Sequence, residues 1–453
     1  GWADVGFHGS RQIPVPNIDA LAADGVILNK YYAQPWPLSS RIGLLTGIYP
    51  YRTGVTKVML PCQPVALPRV FRILPTFFKS LGYRTHFVGV WNLGFYKKRF
   101  TPVNRGFDTA YAKWTGPGDY WTHVATDDME TKMQGFDLRL NDDLMWNQTG
   151  VYSTRLFTER ADPTREQCFF VFHQPLLLIL SHQALHTANY HGSLQCPLEH
   201  LDSFGFIRDR KRRVFAGALT EVDQSLGQIF EALHNRRLLN NTILVFASAS
   251  GGMPVGDFTN NLSFNFPLRG MKGTYFEGGV RVPAFVWSPL LNKTRRTSTQ
   301  LMHVTDWLPT LFSAAVPGVD AAGEMAALRS RLVLFLEYGS EVFQKLYGDN
   351  WEPADLEKRG SVITCPVMEN ATKCLLSEGP CLFDLDKDPC EQNNIAASHP
   401  EVQEGYTYVP WEKDWMADED CDPGTFNGAW VSWRDSFFDH YAVKKLKKKK
   451  HFG

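Results

Sequence analysis

Short apolar runs alternate with amphipathic segments over about the first 315 residues of the chain. Apolar side chains that recur every three or four residues, as from Phe215 to Leu233, predict helices, whereas short apolar runs predict buried strands. Strands are predicted over 26–32, 85–91, 242–248 and 281–287, and helices over 18–24, 74–81, 215–233 and 305–315. Asn17 is the expected N-terminal cap of the first helix. Because strands and helices alternate, we expect an α/β fold with a mostly parallel sheet flanked by helices.

The turns that follow the predicted strands are the places where we expect functional residues. In parallel α/β sheets such residues gather at the carboxyl ends of the strands. Here these ends are the turns after Tyr32, Trp91 and Ser248, together with the segment that ends at His186.

The alternating pattern loosens after about Pro317, where Cys and turn-forming residues become frequent. We expect an α/β domain over 1–316, a smaller Cys-rich C-terminal domain over 317–440 and a basic tail over 441–453. The chain begins with Gly1 and not with Met, and its first residues read like the interior of a domain. We therefore expect the first strand, and any signal peptide, to precede Gly1.

Composition and charge narrow the class of protein. The 453-residue chain has 44% hydrophobic and 21% charged residues, which is ordinary for a globular protein. Its 47 basic residues balance its 47 acidic ones, so we expect no surface dedicated to nucleic acid. The longest apolar run, 168–180, is interrupted by His173, Gln174 and Pro175, so we expect no transmembrane helix.

Five of the eight cysteines lie between residues 365 and 421. The segment between Cys381 and Cys390 can turn back through Asp-Lys-Asp-Pro, so we expect these two residues to form a disulfide. A zinc site is the alternative, but no Cys-x-x-Cys pair and no paired His spacing supports it. Disulfides persist in oxidising compartments, so we expect a secreted or lysosomal protein.

Five Asn-x-Ser/Thr sequences are candidate acceptors of N-linked glycans. Each pattern is short and weak alone, but five of them beside clustered Cys favour a glycoprotein. We expect at least three to be glycosylated among Asn147, Asn240, Asn261, Asn292 and Asn370.

Several longer stretches occur in a characteristic order from residue 1 to about residue 396. They include GWADVGFHGS at 1–10, SSRIGLLTGIYPYRTG at 39–54, GVWNLGFYKK at 89–98, PLRGMKGTYFEGGVRVPAFVWSPLL at 267–291 and CLFDLDKDPCEQNNIA at 381–396. Together they resemble the sulfatase family, and most of all arylsulfatase B and its secreted relatives. The resemblance implies an alkaline-phosphatase-like α/β fold with a small antiparallel C-terminal domain.

The resemblance also implies a reaction. In the family, the Cys of a Cys-x-Pro-Ser-Arg sequence becomes formylglycine, whose hydrate attacks sulfur. A divalent metal, usually Ca²⁺, is held by two Asp near the N-terminus and by an Asp-Asn pair after a later strand. Lys, His and Arg side chains hold the sulfate and protonate the leaving group, because negative charge must be stabilised on both nucleophile and leaving oxygen.

The chain departs from the family at the residues that carry this reaction. Alignment on the Ser-Ser-Arg sequence places Pro37 at the formylglycine position, and proline cannot become an aldehyde hydrate. The family's Lys and His of Gly-Lys-Trp-His-Leu-Gly are Val90 and Asn92 here. Its Asp-Asn metal pair is Ala249 and Ser250 here. A hard cation needs charged oxygen ligands, so we expect no bound Ca²⁺. Because of Pro37 we expect no formylglycine, and we expect no other cofactor.

Three basic residues of the family pattern are retained, namely Arg41, His186 and Lys272. We expect the fold to bring them to one pocket with residual affinity for an anion. Each also has a purely structural interpretation: a carboxylate partner or helix cap for Arg41, a satisfied loop position for His186 and a solvated side chain for Lys272. The lysine run over 444–450 could add a diffuse contact with sulfated glycan or an anionic membrane.

These observations predict a sulfatase-family protein that has lost catalysis and acts as a secreted or lysosomal binding or structural glycoprotein. Its expected partner is a sulfated polysaccharide, with no specific nucleic acid. The first alternative is an active arylsulfatase-type hydrolase with an unrecognised nucleophile. The second is a phosphodiesterase-like relative with a Ser or Thr nucleophile, although the missing metal turn counts equally against it.

Overall fold

A computed structural model of the chain describes most of the α/β region together with parts of the C-terminal region. The described residues are 1–55, 58–127, 131–162, 174–189, 192–256, 259–316, 332–337, 360–365, 372, 374, 379–403 and 419–434. The expected basic tail at 441–453 and the candidate glycosylation site Asn370 lie outside them. No helix within these ranges is both long enough and apolar enough to cross a membrane.

The strands form one large sheet and two small ones. They are β1 (Val26–Leu28), β2 (Tyr31–Tyr32), β3 (Arg84–Val90), β4 (Thr109–Lys113), β5 (Val124–Thr126), β6 (Gln134–Phe136), β7 (Arg139–Leu140), β8 (Asp143–Leu144), β9 (Leu176–Ser181), β10 (Thr242–Ala247), β11 (Ala284–Trp287), β12 (Arg296–Ser298), β13 (Met302–His303) and β14 (Leu332–Glu337). The large sheet has the order β12-β1-β11-β10-β14-β9-β3-β4-β7-β8. Its central run from β10 to β4 is parallel throughout, which confirms the sheet expected from the sequence.

Helices cover both faces of the large sheet. They are α1 (Pro16–Asp24), α2 (Pro37–Thr46), α3 (Leu74–Ser80), α4 (Ser153–Ala161), α5 (Glu199–Ser203), α6 (Arg210–Asn235), α7 (Glu277–Val280), α8 (Trp307–Ala315) and α9 (Pro400–Gln403). In β10, Leu244 and Phe246 pack with α1, α4 and α6 on one face, whereas Ile243 and Val245 pack with α2, α3 and α8 on the other. This two-residue period follows from the pleat of a strand.

The start of α1 differs from the expectation. The helix begins at Pro16, with Val15 in the capping position, so Asn17 lies inside the first turn. The side chain of Asn17 donates to Asp223 Oδ2 of α6 at 2.7 Å, and the backbone N–H groups of Asn17 and Ile18 donate to Asp223 Oδ1. A carboxylate of a distant helix therefore caps α1, which local sequence could not reveal.

Strand β14 lies at the centre of the large sheet, although its residues fall in the expected C-terminal domain. Leu332 pairs with Thr242 of β10 on one side and with Leu176 of β9 on the other, both in parallel. The expected domain boundary at 316 is therefore wrong for this segment. Its continuous apolar sequence, Leu-Val-Leu-Phe-Leu, is typical of central strands in parallel sheets.

The disulfide expected between Cys381 and Cys390 is wrong. Cys381 pairs with Cys374, and Cys390 pairs with Cys365. The backbone N–H of Ile395 donates to the Leu382 carbonyl at 2.9 Å, so the segment closes beyond Cys390 and not at Cys390 itself. A third disulfide joins Cys62 to Cys421, and Cys196 is a buried free thiol.

Candidate functional site

A pocket of about 150 Å³ lies at the carboxyl ends of three parallel strands, beside the first turn of α2. Strand β3 ends at Val90, β9 at Ser181 and β10 at Ala247, and residues at or just after these ends line the pocket. Two of the turns in which the sequence analysis placed functional residues, and the segment ending at His186, therefore meet at this one edge of the sheet.

All eight positions that the family resemblance assigned to the site line this pocket. They are Pro37, Arg41, Val90, Asn92, His186, Ala249, Ser250 and Lys272. They come from distant parts of the chain, and the parallel sheet brings them together because the ends of its strands meet at one edge.

Arg41 projects from α2, one turn after Pro37, which occupies the first helical position. Pro is well tolerated there because its missing N–H would have no partner within the helix. Arg41 Nη2 donates to Ser181 Oγ at 2.9 Å, and Nη1 donates to the Trp91 carbonyl at 3.3 Å. The guanidinium is thus anchored to the ends of β3 and β9, where it adds a permanent positive charge to the pocket wall.

Lys272 is 8% exposed, so the interpretation as a solvated lysine is wrong. Its Nζ donates to Thr259 Oγ1 at 3.2 Å and lies 3.2 Å from His186 Nε2. Burial lowers the pKa of Lys272 to about 7. The amine is therefore poised to gain or lose its proton near neutral pH, inside the pocket.

His186 is neutral in this environment. Burial first, and then the charge of Lys272, hold the pKa of His186 well below its usual range. Its Nδ1 lies 3.1 Å from the Thr187 carbonyl, which can only accept a hydrogen bond. These contacts assign the proton to Nδ1 and leave Nε2 to accept from Lys272.

Asn92 occupies the place of the family's histidine and has a backbone role. Its φ of 46° lies in the left-handed region, which Asn tolerates better than most residues. Its backbone N–H donates to the Trp114 carbonyl at 3.2 Å. The turn after β3 therefore has a specific conformation but carries an amide where proton transfer would need an acid.

The residues at the expected metal positions do not fit a calcium ion. The side chain of Ala249 has no donor atom, and Ser250 Oγ donates its proton to the Gly251 carbonyl at 3.2 Å. None of the described residues that line the pocket is an Asp or a Glu. Calcium prefers six to eight oxygen ligands that include carboxylates, and neither of these two side chains supplies one. The family's other two metal-binding Asp would precede Gly1.

A cluster of potential metal ligands lies outside the pocket. Ligand atoms of Glu199, His200 and Glu221 lie within 4.8 Å of one another. Arg155 donates to Glu199 Oε1 at 2.6 Å and also contacts Glu221. The guanidinium supplies the positive charge that a metal would supply, so this cluster is an ion-pair network between α4, α5 and α6.

Asn261 lines the pocket, although its sequence context predicts only a glycan acceptor. Its Nδ2 donates to the Leu185 carbonyl at 2.7 Å, and its Oδ1 accepts from Ser263 Oγ at 2.9 Å. A glycan is attached through this same Nδ2 atom, so the contacts conflict with glycosylation at Asn261. By contrast, the candidate acceptors Asn147, Asn240 and Asn292 are exposed.

Lys113 is a second buried lysine near the pocket, and no motif pointed to it. It ends β4, directly beside Val90 of β3, and it is fully buried. Its Nζ donates to Gln183 Oε1 at 2.6 Å and to the Asp119 carbonyl at 2.9 Å. Burial lowers the pKa of Lys113 to about 8. Because Gln183 lines the pocket, Lys113 braces the pocket wall from behind.

Comparison with known proteins places this site in a family. Residues 1–318 match the family model described as Sulfatase, and the chain belongs to the sulfatase family. The family resemblance seen in the sequence is thereby confirmed, and the α/β fold agrees with it.

The chain is similar to several sulfatases. It is 39% identical over 329 residues to arylsulfatase J of Mus musculus, which covers 71% of this chain and 51% of that protein. It is 27% identical to human N-acetylgalactosamine-6-sulfatase, covering 90% of this chain and 82% of that protein. The chain thus spans about half the length of arylsulfatase J.

Solved structures have the same fold. The crystal structure of Ps i-CgsB in complex with k-i-k-neocarrahexaose superposes with a TM-score of 0.69 at 24% identity, covering 96% of this chain and 94% of that chain. The crystal structure of Ps i-CgsB alone gives a TM-score of 0.67 at 25% identity, covering 89% of this chain and 87% of that one.

Proposed function

We propose that this chain is a sulfatase-family protein that binds sulfated glycan in its pocket without hydrolysing the sulfate ester. The observation that carries the proposal is that Pro37 and Arg41 lie one turn apart on α2, and both line the pocket. The position that should supply a nucleophile has neither thiol nor hydroxyl, whereas the cation one turn later is retained.

The cations of the pocket support binding of an anion. Arg41 presents a planar set of N–H donors that suits a sulfate or carboxylate, and Lys272 acts as a point charge. The ammonium group has three N–H donors, and the described residues engage it through His186 and Thr259. The same group lies 5.8 Å from the centroid of the Trp36 ring, in a lining whose described residues include no carboxylate.

Three further substitutions count against hydrolysis. The side chain of Val90 has no polar atom, and the side-chain amide of Asn92 cannot act as a general acid near neutral pH. Ala249 supplies no ligand to a metal. Loss of a nucleophile alone reduces turnover by several orders of magnitude, and here it coincides with the loss of acid and ligand groups.

The relatives support the choice of a sulfated saccharide. Human N-acetylgalactosamine-6-sulfatase is named for a sulfated sugar, and Ps i-CgsB was crystallised with k-i-k-neocarrahexaose. Disulfides at Cys62–Cys421, Cys365–Cys390 and Cys374–Cys381 are typical of oxidising compartments. With the exposed candidate glycan acceptors, they support a secreted or lysosomal glycoprotein.

The test is to measure binding and turnover with the same full-length protein. We expect retention on heparin resin at low salt, elution well below molar NaCl, and no hydrolysis of 4-nitrocatechol sulfate above a heat-inactivated control. Lys272→Met should weaken retention, whereas Lys293→Met, which removes an exposed cation outside the pocket, should not. Turnover above the control would instead support the active arylsulfatase. Absence of retention at low salt would contradict a binding role.

A further inference from the structure

A second cavity, of about 420 Å³, lies between residues 54–55 and 64–69 on one side and residues 96–100 on the other. Its size is within the usual range of small-molecule sites. Arg69 and Arg99 line it together with Tyr96 and Phe100, whose ring centroids are 5.0 Å apart. The Arg99 guanidinium carbon lies 5.0 Å from the centroid of the Phe100 ring. We call this the arginine cavity, since two exposed guanidinium groups and an aromatic wall define it.

The positive charge of the arginine cavity is not balanced by nearby carboxylates. Within the part of the chain that the structure describes, neither Arg69 nor Arg99 forms an ion pair, and none of the described lining residues is acidic. Arg105 lies next to them, buried, with the Leu67 and Phe71 carbonyls as partners. Burial, and then the charge of Arg69, lower the pKa of Arg105 to about 10.

The arginine cavity and the pocket are neighbours along one segment. Val55 lines the arginine cavity and Val58 lines the pocket. Three residues of extended chain span at most about 11 Å, so the two sites are within reach of one short oligosaccharide. A polymer with repeated negative charges therefore matches two cationic sites that lie a short distance apart.

We propose that the arginine cavity is a second saccharide subsite, which binds an anionic sugar of the same glycan chain whose sulfate enters the pocket. This inference rests on the proposed function. The guanidinium groups of Arg69 and Arg99 receive the sulfate or carboxylate of the sugar. The half-buried side chains of Pro64, Val65 and Tyr96 provide apolar surface for the sugar ring. The preferred ligand is thus an oligosaccharide long enough to occupy both sites.

The experiment compares a short and a long ligand by calorimetry on the full-length protein. The probes are a heparin-derived disaccharide and a heparin-derived octasaccharide. The test variant is Arg69→Ala/Arg99→Ala, and the matched control is Arg236→Ala/Arg237→Ala, which removes the same charge from exposed positions that line neither site. Thermal unfolding of each variant verifies that its fold is intact.

We expect the test variant to lose about tenfold in affinity for the octasaccharide, the loss that two exposed ion contacts of ordinary strength would give. Its affinity for the disaccharide, and both affinities of the control, should stay within about twofold of the wild type. Equal losses for both ligands, no loss, or the same loss in the control would overturn the second subsite while the proposed function stands. If the wild type binds neither ligand, the proposed function fails and this inference fails with it.

Discussion

Lys272 Nζ lies 3.2 Å from His186 Nε2, and Lys272 is buried whereas His186 is half-buried. Burial lowers the pKa of Lys272 to about 7, and burial together with Lys272 keeps the pKa of His186 far below neutral. Near pH 7 the charge of this pair is therefore that of Lys272 alone, whereas Arg41 stays charged throughout.

Anion binding should consequently strengthen as the pH falls through about 7. Below this pH Lys272 is protonated and attracts sulfate, and above it the amine is neutral. We expect the NaCl concentration that elutes the protein from heparin resin to rise from pH 8 to pH 6. Lys272→Arg should bind equally well across this range, because Arg keeps its charge. A full pH dependence retained in Lys272→Met would show that other groups cause it.

Rebuilding the family's formylglycine sequence should not restore hydrolysis. Pro37→Cys/Ser39→Pro creates Cys-x-Pro-Ser-Arg at the start of α2, where Pro is tolerated because the first helical N–H groups have no helical partner. Even with the aldehyde formed, Asn92 and Ala249 do not supply the acid and the metal ligand that the family has at these two positions. Mass spectrometry would verify formylglycine, and 4-nitrocatechol sulfate would measure turnover. Substantial turnover in this variant would mean that the remaining residues suffice.

Calcium should not bind tightly to the wild-type protein. Calorimetry with Ca²⁺ or Mg²⁺ should give no micromolar 1:1 site, because Ala249 and Ser250 offer no carboxylate. The matched variant Ala249→Asp/Ser250→Asn restores the family pair, and any gain in affinity measures what that pair contributes. A micromolar site in the wild type would contradict this expectation and reopen the catalytic interpretation.

Asn261 should carry no glycan, although its sequence fits the acceptor pattern. Its Nδ2 is engaged by the Leu185 carbonyl at the pocket wall, whereas Asn147, Asn240 and Asn292 are exposed. We expect glycopeptide mapping of protein from secreting cells to find glycans on these three. Occupancy at Asn261 comparable with theirs would contradict the observed pocket wall.

Local signals in the sequence predicted the sheet, and the family resemblance predicted the members of the pocket. Apolar runs mark the strands, and motif residues such as Val90 and Ala249 lie at or just after strand ends, which the topology brings to one edge. Lys272 lies farther along the chain, but its backbone N–H donates to the Gly252 carbonyl, which ties its loop to the turn after β10.

Features that depend on long-range packing could not be predicted in this way. Lys113 reads as an ordinary end of a strand, yet Gln183 from a distant loop completes its site. The cap of α1 comes from Asp223 in α6. The partner of Cys381 depends on where the turn beyond Cys390 closes, and spacing alone leaves several pairings possible.

A further prediction concerns stability, through a contact between the C-terminal region and the α/β domain. Glu391 is buried, and its Oε2 accepts a hydrogen bond from the backbone N–H of Glu277 at 2.8 Å. Burial raises the pKa of Glu391 to about 7, and the charge of the Glu277 carboxylate also raises it. The hydrogen bond from the Glu277 backbone N–H and the charge of Arg269 lower this pKa. The folded state therefore holds a proton on Glu391 that the unfolded state releases near its ordinary pKa.

The stability that this proton provides is complete below pH 4.5 and is lost as the pH rises through about 7. Glu391→Gln mimics the protonated carboxyl, so it should stabilise the fold by about 2 kcal/mol more at pH 7.5 than at pH 5. Buried histidines such as His8 make the protein less stable as the pH falls. Burial lowers the pKa of His8 to about 3, so acid favours the unfolded state, in which this histidine can take up a proton. For this reason urea unfolding of wild type and variant must be compared at each pH. An equal difference in the free energy of unfolding at both pH values would mean that Glu391 does not titrate in this range.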